Sequence, residues 1–152
     1  MPKYNITEKK TKTPQYRSSL SEELIDELFQ KIMEKFIVEK KYRDPKYSAK
    51  TMADELGTNT RYISAAINVR NQDNYSQLVN EFRIKEARHL LSDHRYISMK
   101  MEDIGIQVGF ANRQSFYAAF FRRLGVSPLE YRKLALGIAE KKGKGRADRK
   151  AE

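Results

Sequence analysis

Apolar residues recur every three or four positions through most of the chain, and nowhere between Ser21 and Leu136 do they alternate with the two-residue period of a strand. Ser21 stands ahead of Leu24, Ile25, Leu28, Phe29, Ile32, Met33, Phe36 and Ile37 at helical spacing. Glu22 and Glu23 fall in the first turn, where the helix dipole favours acids. The pattern predicts a first helix from Ser21 to near Tyr42, closed before Asp44-Pro45, because the residue ahead of a proline resists helical geometry. Ser48 is placed to cap a short helix that stops at Gly57, and Asn59 to cap a third over about 60–69. Asn74 opens a long helix to Leu91, a rod of about 26 Å at 1.5 Å per residue. A second short pair comes next. The last helix starts at Ser127-Pro128-Leu129-Glu130, with serine as cap, proline at the first helical position and glutamate three residues after the serine. The expected fold is all-α, with seven helices.

Two stretches of this pattern repeat each other. Ala49 to Gly57, followed by Thr58 to Ser64, has its counterpart in Met101 to Gly109, followed by Phe110 to Phe116. Each reads as a short helix, a glycine turn and a second helix with a polar cap, which is the pattern of a helix-turn-helix. A small residue is needed where the two helices cross, and Ala53 and Gly105 stand there, each four residues before the turn glycine. In the first unit Ile63, Ala66 and Ile67 point inward, leaving Arg61, Ser64, Ala65 and Asn68 outward. In the second, Phe116, Ala119 and Phe120 point inward, leaving Arg113, Gln114, Tyr117 and Ala118 outward. The duplication is approximate, because the second turn is one residue longer.

Charge sharpens this. The 152 residues carry a formal net charge of +10. Residues 1–20 and 141–152 contribute +4 each, so the remaining 120 residues are nearly balanced. Yet stretches 56–72 and 104–129, which hold both outward helices, contain no Asp or Glu, as an anionic partner would favour. Basic tails supply sequence-independent attraction to phosphates, or are simply solvated ends. Residues 1–18, rich in Lys, Thr and Pro, have no periodicity and are expected to be disordered.

The second unit and the helix after it carry a resemblance. Ile104-Gly105-Ile106-Gln107-Val108-Gly109-Phe110, then Ser115-Phe116-Tyr117-Ala118-Ala119-Phe120-Phe121-Arg122-Arg123, then Gly125-Val126-Ser127-Pro128-Leu129-Glu130-Tyr131-Arg132 resemble the signature of the AraC/XylS family of bacterial transcription regulators. Phe82 to Leu91 resembles the family's linker helix. The resemblance spans about Ser21 to Leu136.

It implies a DNA-binding domain over 21–136, with helix-turn-helix units at about 48–69 and 100–124, a linker helix at about 74–91, and basic tails at 1–20 and 137–152. It also implies two recognition helices in adjacent major-groove segments, about 34 Å apart on one face of the duplex. A single chain can then read a site as a monomer. Carried over by position, the base-facing places fall on Arg61, Ser64 and Ala65, and on Arg113, Gln114, Tyr117 and Ala118. Arginine can bond guanine O6 and N7 together, and glutamine adenine N6 and N7. Phosphate contacts are expected at helix starts and nearby cations, at Ser48, Asn59, Asn112, Arg122, Arg123 and Lys133. Arg122 and Arg123 read equally as solvated face residues, and Arg83 and Arg88 as partners of Glu86 or nearby acids. Ala65 and Ala118 depart from the longer polar residues of many relatives. Lys100 stands where a Ser or Thr cap is common, with Ser98 as the alternative cap. Most relatives join this domain to a sensor or dimerisation domain, so the chain reads as a stand-alone regulator or as an output domain.

Other chemistries find little support. There is no cysteine, which excludes disulfides and thiolate metal sites and fits a reducing compartment. His89 and His94 are not framed by acids at ligand spacing, and His89 reads as a partly buried structural residue. No nucleophile–base set stands out, so no enzyme, metal or cofactor is expected. No apolar run approaches the roughly 18 residues that span a membrane, and no secretory leader opens the chain, so a cytoplasmic protein is expected. The expected partner is double-stranded DNA at a promoter or operator, with RNA polymerase as a second partner and no small-molecule effector site. Two alternatives stand beside this reading: a non-specific nucleic-acid or RNA binder driven by the tails, and a helical protein-interaction module.

Overall fold

The computed structural model describes residues 20–138; apart from Leu20, Gly137 and Ile138, the basic tails expected at either end lie outside the described residues. Seven α-helices run through the described residues: α1 (Glu22–Ile37), α2 (Ala49–Leu56), α3 (Thr60–Asn71), α4 (Tyr75–Leu91), α5 (Met101–Gln107), α6 (Arg113–Leu124) and α7 (Pro128–Leu136). Short 3₁₀ turns at Lys41–Arg43 and His94–Tyr96 complete the regular structure, and no strand occurs among the described residues. The chain divides into two compact units at Phe82/Arg83, within α4.

The first unit is built on α1, which packs against α3. Ile25, Leu28, Ile32 and Phe36 form its buried stripe at the expected spacing, and Ser21 caps its start by accepting from the Leu24 amide at 3.0 Å. Phe36 has no exposed surface and meets the rings of Tyr75 and Phe82, with centroids 6.0 and 5.3 Å away. At its far end α1 departs from expectation and stops at Ile37 rather than near Tyr42. Lys40 turns left-handed at φ 52°, which breaks the helix and swings Tyr42 inward onto Phe82, where the rings stack at 5.7 Å. Burying an aromatic ring outweighs the few hydrogen bonds that another turn of helix would add, and the strain at one non-glycine residue is about 1 kcal/mol. Arg70, near the end of α3, reaches back to α1 and donates to Asp26 and Glu22 at 2.6 Å each.

Tyr47, just before α2, is pinned from two sides. Its hydroxyl donates to Glu55 at 2.8 Å, and its carbonyl accepts from the Tyr75 hydroxyl at 3.3 Å. Lys35 meets the same Glu55 carboxylate at 3.0 Å. This cluster ties α1, the loop ahead of α2, and α2 itself.

The second unit takes Ile84, Ala87, Leu90 and Leu91 from α4 and packs them with Ile104, Val108, Phe116 and Phe120. His89 is exposed on α4, not partly buried as expected, because the apolar stripe passes it by on either side. Arg88, expected to pair with acids, instead sits over the Tyr131 ring and donates to its hydroxyl at 3.2 Å. α7 starts as expected, with Ser127 and Glu130 capping each other's backbone amides. Lys100 occupies the cap position of α5 without a side-chain hydrogen bond, so the start of this helix is not closed by the serine or threonine common there. The segment ahead of α5 is held by Arg132 of α7. That guanidinium is 8% exposed and donates to the carbonyls of Tyr96, Ile97 and Met99 at 3.2, 3.1 and 3.0 Å.

Candidate nucleic-acid interface

Both expected helix-turn-helix turns are present, and they close in the same way. In the first, Gly57 is left-handed at φ 71°, its amide reaches the Asp54 carbonyl, and the Thr58 amide reaches Ala53 at 2.9 Å. In the second, Gly109 has φ 117°, its amide reaches Ile106, and the Phe110 amide reaches Gly105 at 2.9 Å. Amides just past the helix end thus cover orphan carbonyls of its last turn, in a geometry that needs glycine's freedom at positive φ. The extra residue of the second turn lies between the glycine and the cap: Asn59 follows Gly57 by two places, whereas Asn112 follows Gly109 by three.

The crossing points hold small residues, as the packing requires. Ala53 is 1% exposed. At Gly105 there is no room for a side chain, since a Cβ would stand 2.7 Å from Cδ2 of Phe116. These close crossings bring α3 and α6 onto their bracing helices and aim one face of each helix at solvent.

On α6 the division of faces is as expected. Phe116, Ala119 and Phe120 are buried, while Arg113, Gln114 and Ala118 are exposed. Tyr117 is half-buried, with its ring edge-on to Phe116 at 5.9 Å. The Arg113 guanidinium lies over the outer face of that ring, 4.4 Å from its centroid. Phe121, absent from the expected base-facing set, continues the same row one turn further and is 59% exposed. Its signal is the i, i+4, i+8 spacing of Arg113, Tyr117 and Phe121, but an aromatic on a helix is ordinarily assigned to a core.

On α3 one assignment fails. Arg61 is exposed and Ser64 partly so, but Ala65 is 1% exposed and does not face outward. α3 packs against α1 as well as α2, so its covered arc is wider than the stripe of Ile63, Ala66 and Ile67. A methyl group on that wider arc cannot reach past its longer neighbours to a base edge.

The expected phosphate-contacting residues sit at helix starts and on the cationic ends. Asn59 accepts from the Tyr62 amide at 2.9 Å, and Ser48 from the Thr51 amide at 3.1 Å. Asn112 accepts from the Ser115 amide and hydroxyl at 2.8 and 2.9 Å. Capping occupies Oδ1 of both asparagines and leaves each Nδ2 free to donate, so an anion at these starts can meet the backbone amides and the asparagine side-chain amide together. In α6 the amides of Arg113 and Gln114 have no intrahelical acceptor and point out of the helix start. Arg122 and Arg123 are exposed in the last turn of α6, where the helix dipole also favours a cation, and Lys133 is half-buried on α7.

Among the described residues no group of His, Asp and Glu could hold a metal ion, and no helix is long and apolar enough to cross a membrane.

A family model described as a helix-turn-helix domain matches residues 52–134. The melibiose operon regulatory protein of Escherichia coli is 31% identical over 84 residues, which are 55% of this chain and 27% of that protein. The chain therefore spans about a quarter of the length of this curated relative. Among solved structures, the C-terminal domain of AraT, a response regulator from Geobacillus stearothermophilus, superposes with a TM-score of 0.61 at 22% identity, covering 84% of this chain and 96% of that one. An AraC-type DNA-binding domain-containing regulator from Chromobacterium violaceum superposes with a TM-score of 0.54 at 22% identity, covering 61% and 80%. At that identity the two structures speak for the shared all-α fold.

Proposed function

The chain belongs to the AraC-type helix-turn-helix family, and from that premise we propose that it binds specific double-stranded DNA and regulates transcription from the sites it occupies. The observation that carries this reading is the outward face of α6. It presents an arginine, a glutamine and small or apolar groups, it has no acid, and it begins at a capped start with amides to spare.

Each group has a part. Arg113 pairs with guanine O6 and N7, and Gln114 with adenine N6 and N7, both in the major groove. Ala118 and Phe121 offer apolar contact of the kind a thymine methyl accepts. The backbone amides at the starts of α2, α3 and α6, with Arg122, Arg123 and Lys133, bind phosphates and set the register. In the first unit Arg61 and Ser64 face the groove, and with Ala65 withdrawn α3 has fewer base-directed groups than α6. The second unit thus supplies most of the discrimination. A single chain suffices for binding, each unit taking its own groove segment, and RNA polymerase is the partner through which regulation acts. Such a protein works in the cytoplasm, where bacterial DNA lies.

Selection of random duplexes by the full chain at ~150 mM salt tests the reading. A recovered consensus with a guanine lost on Arg113→Ala supports it. A flat sequence profile sinks it and leaves a non-specific binder.

A further inference from the structure

Arg113 occupies an awkward place. It is the first residue of α6, where the positive end of the helix dipole repels a cation. No acid pairs with it among the described residues, and stretch 104–129 contains none to do so. An exposed arginine in that position would ordinarily sample many rotamers. Here the guanidinium lies 4.4 Å from the centre of the Tyr117 ring. The geometry comes from the helix: side chains lean toward the N-terminus, so the residue at i+4 covers the turn from which residue i projects. The ring is itself fixed, half-buried and packed edge-on against Phe116, which is fully buried.

We propose that Tyr117 is a positioning residue for base readout: its ring is a platform that holds the Arg113 guanidinium in a set plane before DNA arrives. This rests on the reading of Arg113 as a guanine contact. A bidentate contact needs the guanidinium plane aligned with one base edge, so fixing that plane in advance removes ordering that binding would otherwise require. Tyr117 thus acts through Arg113, and the ring rather than the hydroxyl is the working part.

The test uses the full chain, a duplex recovered by selection, and versions of it in which each guanine in turn is replaced by 7-deazaguanine, which lacks N7. Wild type should lose roughly five- to a hundred-fold at one guanine. Tyr117→Phe should keep both the affinity and that loss. Tyr117→Leu, which removes the ring but keeps a branched apolar side chain against Phe116 and is compared well below its own melting temperature, should bind the parent duplex about two- to five-fold more weakly and show a smaller loss at the same guanine. In an Arg113→Ala background, Tyr117→Leu should have no further effect. Equal binding and an equal 7-deazaguanine loss in Tyr117→Leu would overturn the platform while leaving Arg113 as a guanine reader. So would a Tyr117→Leu penalty that persists without Arg113. A wild type indifferent to every 7-deazaguanine removes the guanine contact itself, and the platform with it.

Discussion

Phe116 fills the space that a side chain on Gly105 would need: a Cβ there would stand 2.7, 2.8 and 2.9 Å from three of its carbons. The ring cannot give way, because Phe110, Tyr117 and Phe120 surround it with centroids 5.4–5.9 Å away. Gly105→Ala gains about 1 kcal/mol of helix propensity. It loses roughly 1–3 kcal/mol to overpacking in a core with no slack. We expect a net loss of up to about 2 kcal/mol, read as a lower urea midpoint.

Arg132 gathers three carbonyls of the turn ahead of α5 onto one guanidinium. Burial disfavours its charge and pulls its pKa below the usual guanidinium value, so its charge-assisted bonds must offset that cost. Arg132→Met should destabilise by about 2 kcal/mol and speed amide exchange through the first turn of α5. Arg132→Lys should recover little, since one ammonium cannot span the three acceptors that the planar fork reaches.

The Tyr47–Glu55–Lys35 cluster sets a pH dependence. The Tyr47 hydroxyl, and after it Lys35, hold the Glu55 carboxyl below its ordinary value. The side chain of Arg95, and then its amide, hold Asp93 down to about 2. Both groups have depressed folded-state values, so their contribution is present above the unfolded pKa near 4 and is lost as pH falls through the folded values. Burial, and then the Glu55 hydrogen bond, raise the Tyr47 phenol. That contribution is whole below about pH 10 and is lost as pH rises beyond it. Tyr47→Phe should cost about 1 kcal/mol at neutral pH. The difference from wild type in thermal melts should narrow as pH falls below about 4 and Glu55 is protonated.

Phe121 gives a chemical test of the α6 row. If it rests on a thymine methyl, one thymine-to-deoxyuridine change in the selected duplex should weaken wild type about four-fold, the worth of one methyl group. Phe121→Ala should bind both duplexes alike, with an unchanged melting temperature because the side chain is mostly in solvent. Wild type that tolerates deoxyuridine everywhere would show that Phe121 touches no methyl.

The segment 141–152 holds six Lys/Arg against two acids. Its deletion should weaken specific and unrelated duplexes by the same factor. It should also flatten the slope of log affinity against log salt by about 0.9 for each phosphate no longer neutralised. A change confined to the specific duplex would instead make the segment a reader of sequence.

Local rules make the duplicated turn legible. Glycine at the helix end, a small residue four places earlier and an asparagine cap are each set by backbone geometry within a few residues, and each is where the pattern puts it. Features that depend on packing between distant elements escape the pattern. Ala65 is buried at a position that the stripe of Ile63, Ala66 and Ile67 on α3 alone leaves outward. Tyr42 turns inward because Phe82, forty residues on, offers a ring to stack on. Arg132 reads as an ordinary surface cation until the turn at 96–99 is seen against it. Arg113 and Tyr117 both read as outward from their spacing, but their mutual stacking is a matter of side-chain direction rather than of sequence pattern.

The two faces of α6 lead largely separate lives. Arg113, Gln114, Ala118 and Phe121 touch little of the core, so on the DNA-reading role proposed for them drift or design can exchange them and change the duplex that is bound with small effect on folding. Tyr117 is the exception. Its inner edge belongs to the Phe116 packing and its outer face to Arg113, so a change there is felt by both. New specificities should therefore evolve most readily around a retained aromatic at this position, which acts as a hinge point between heritable stability and heritable choice of target.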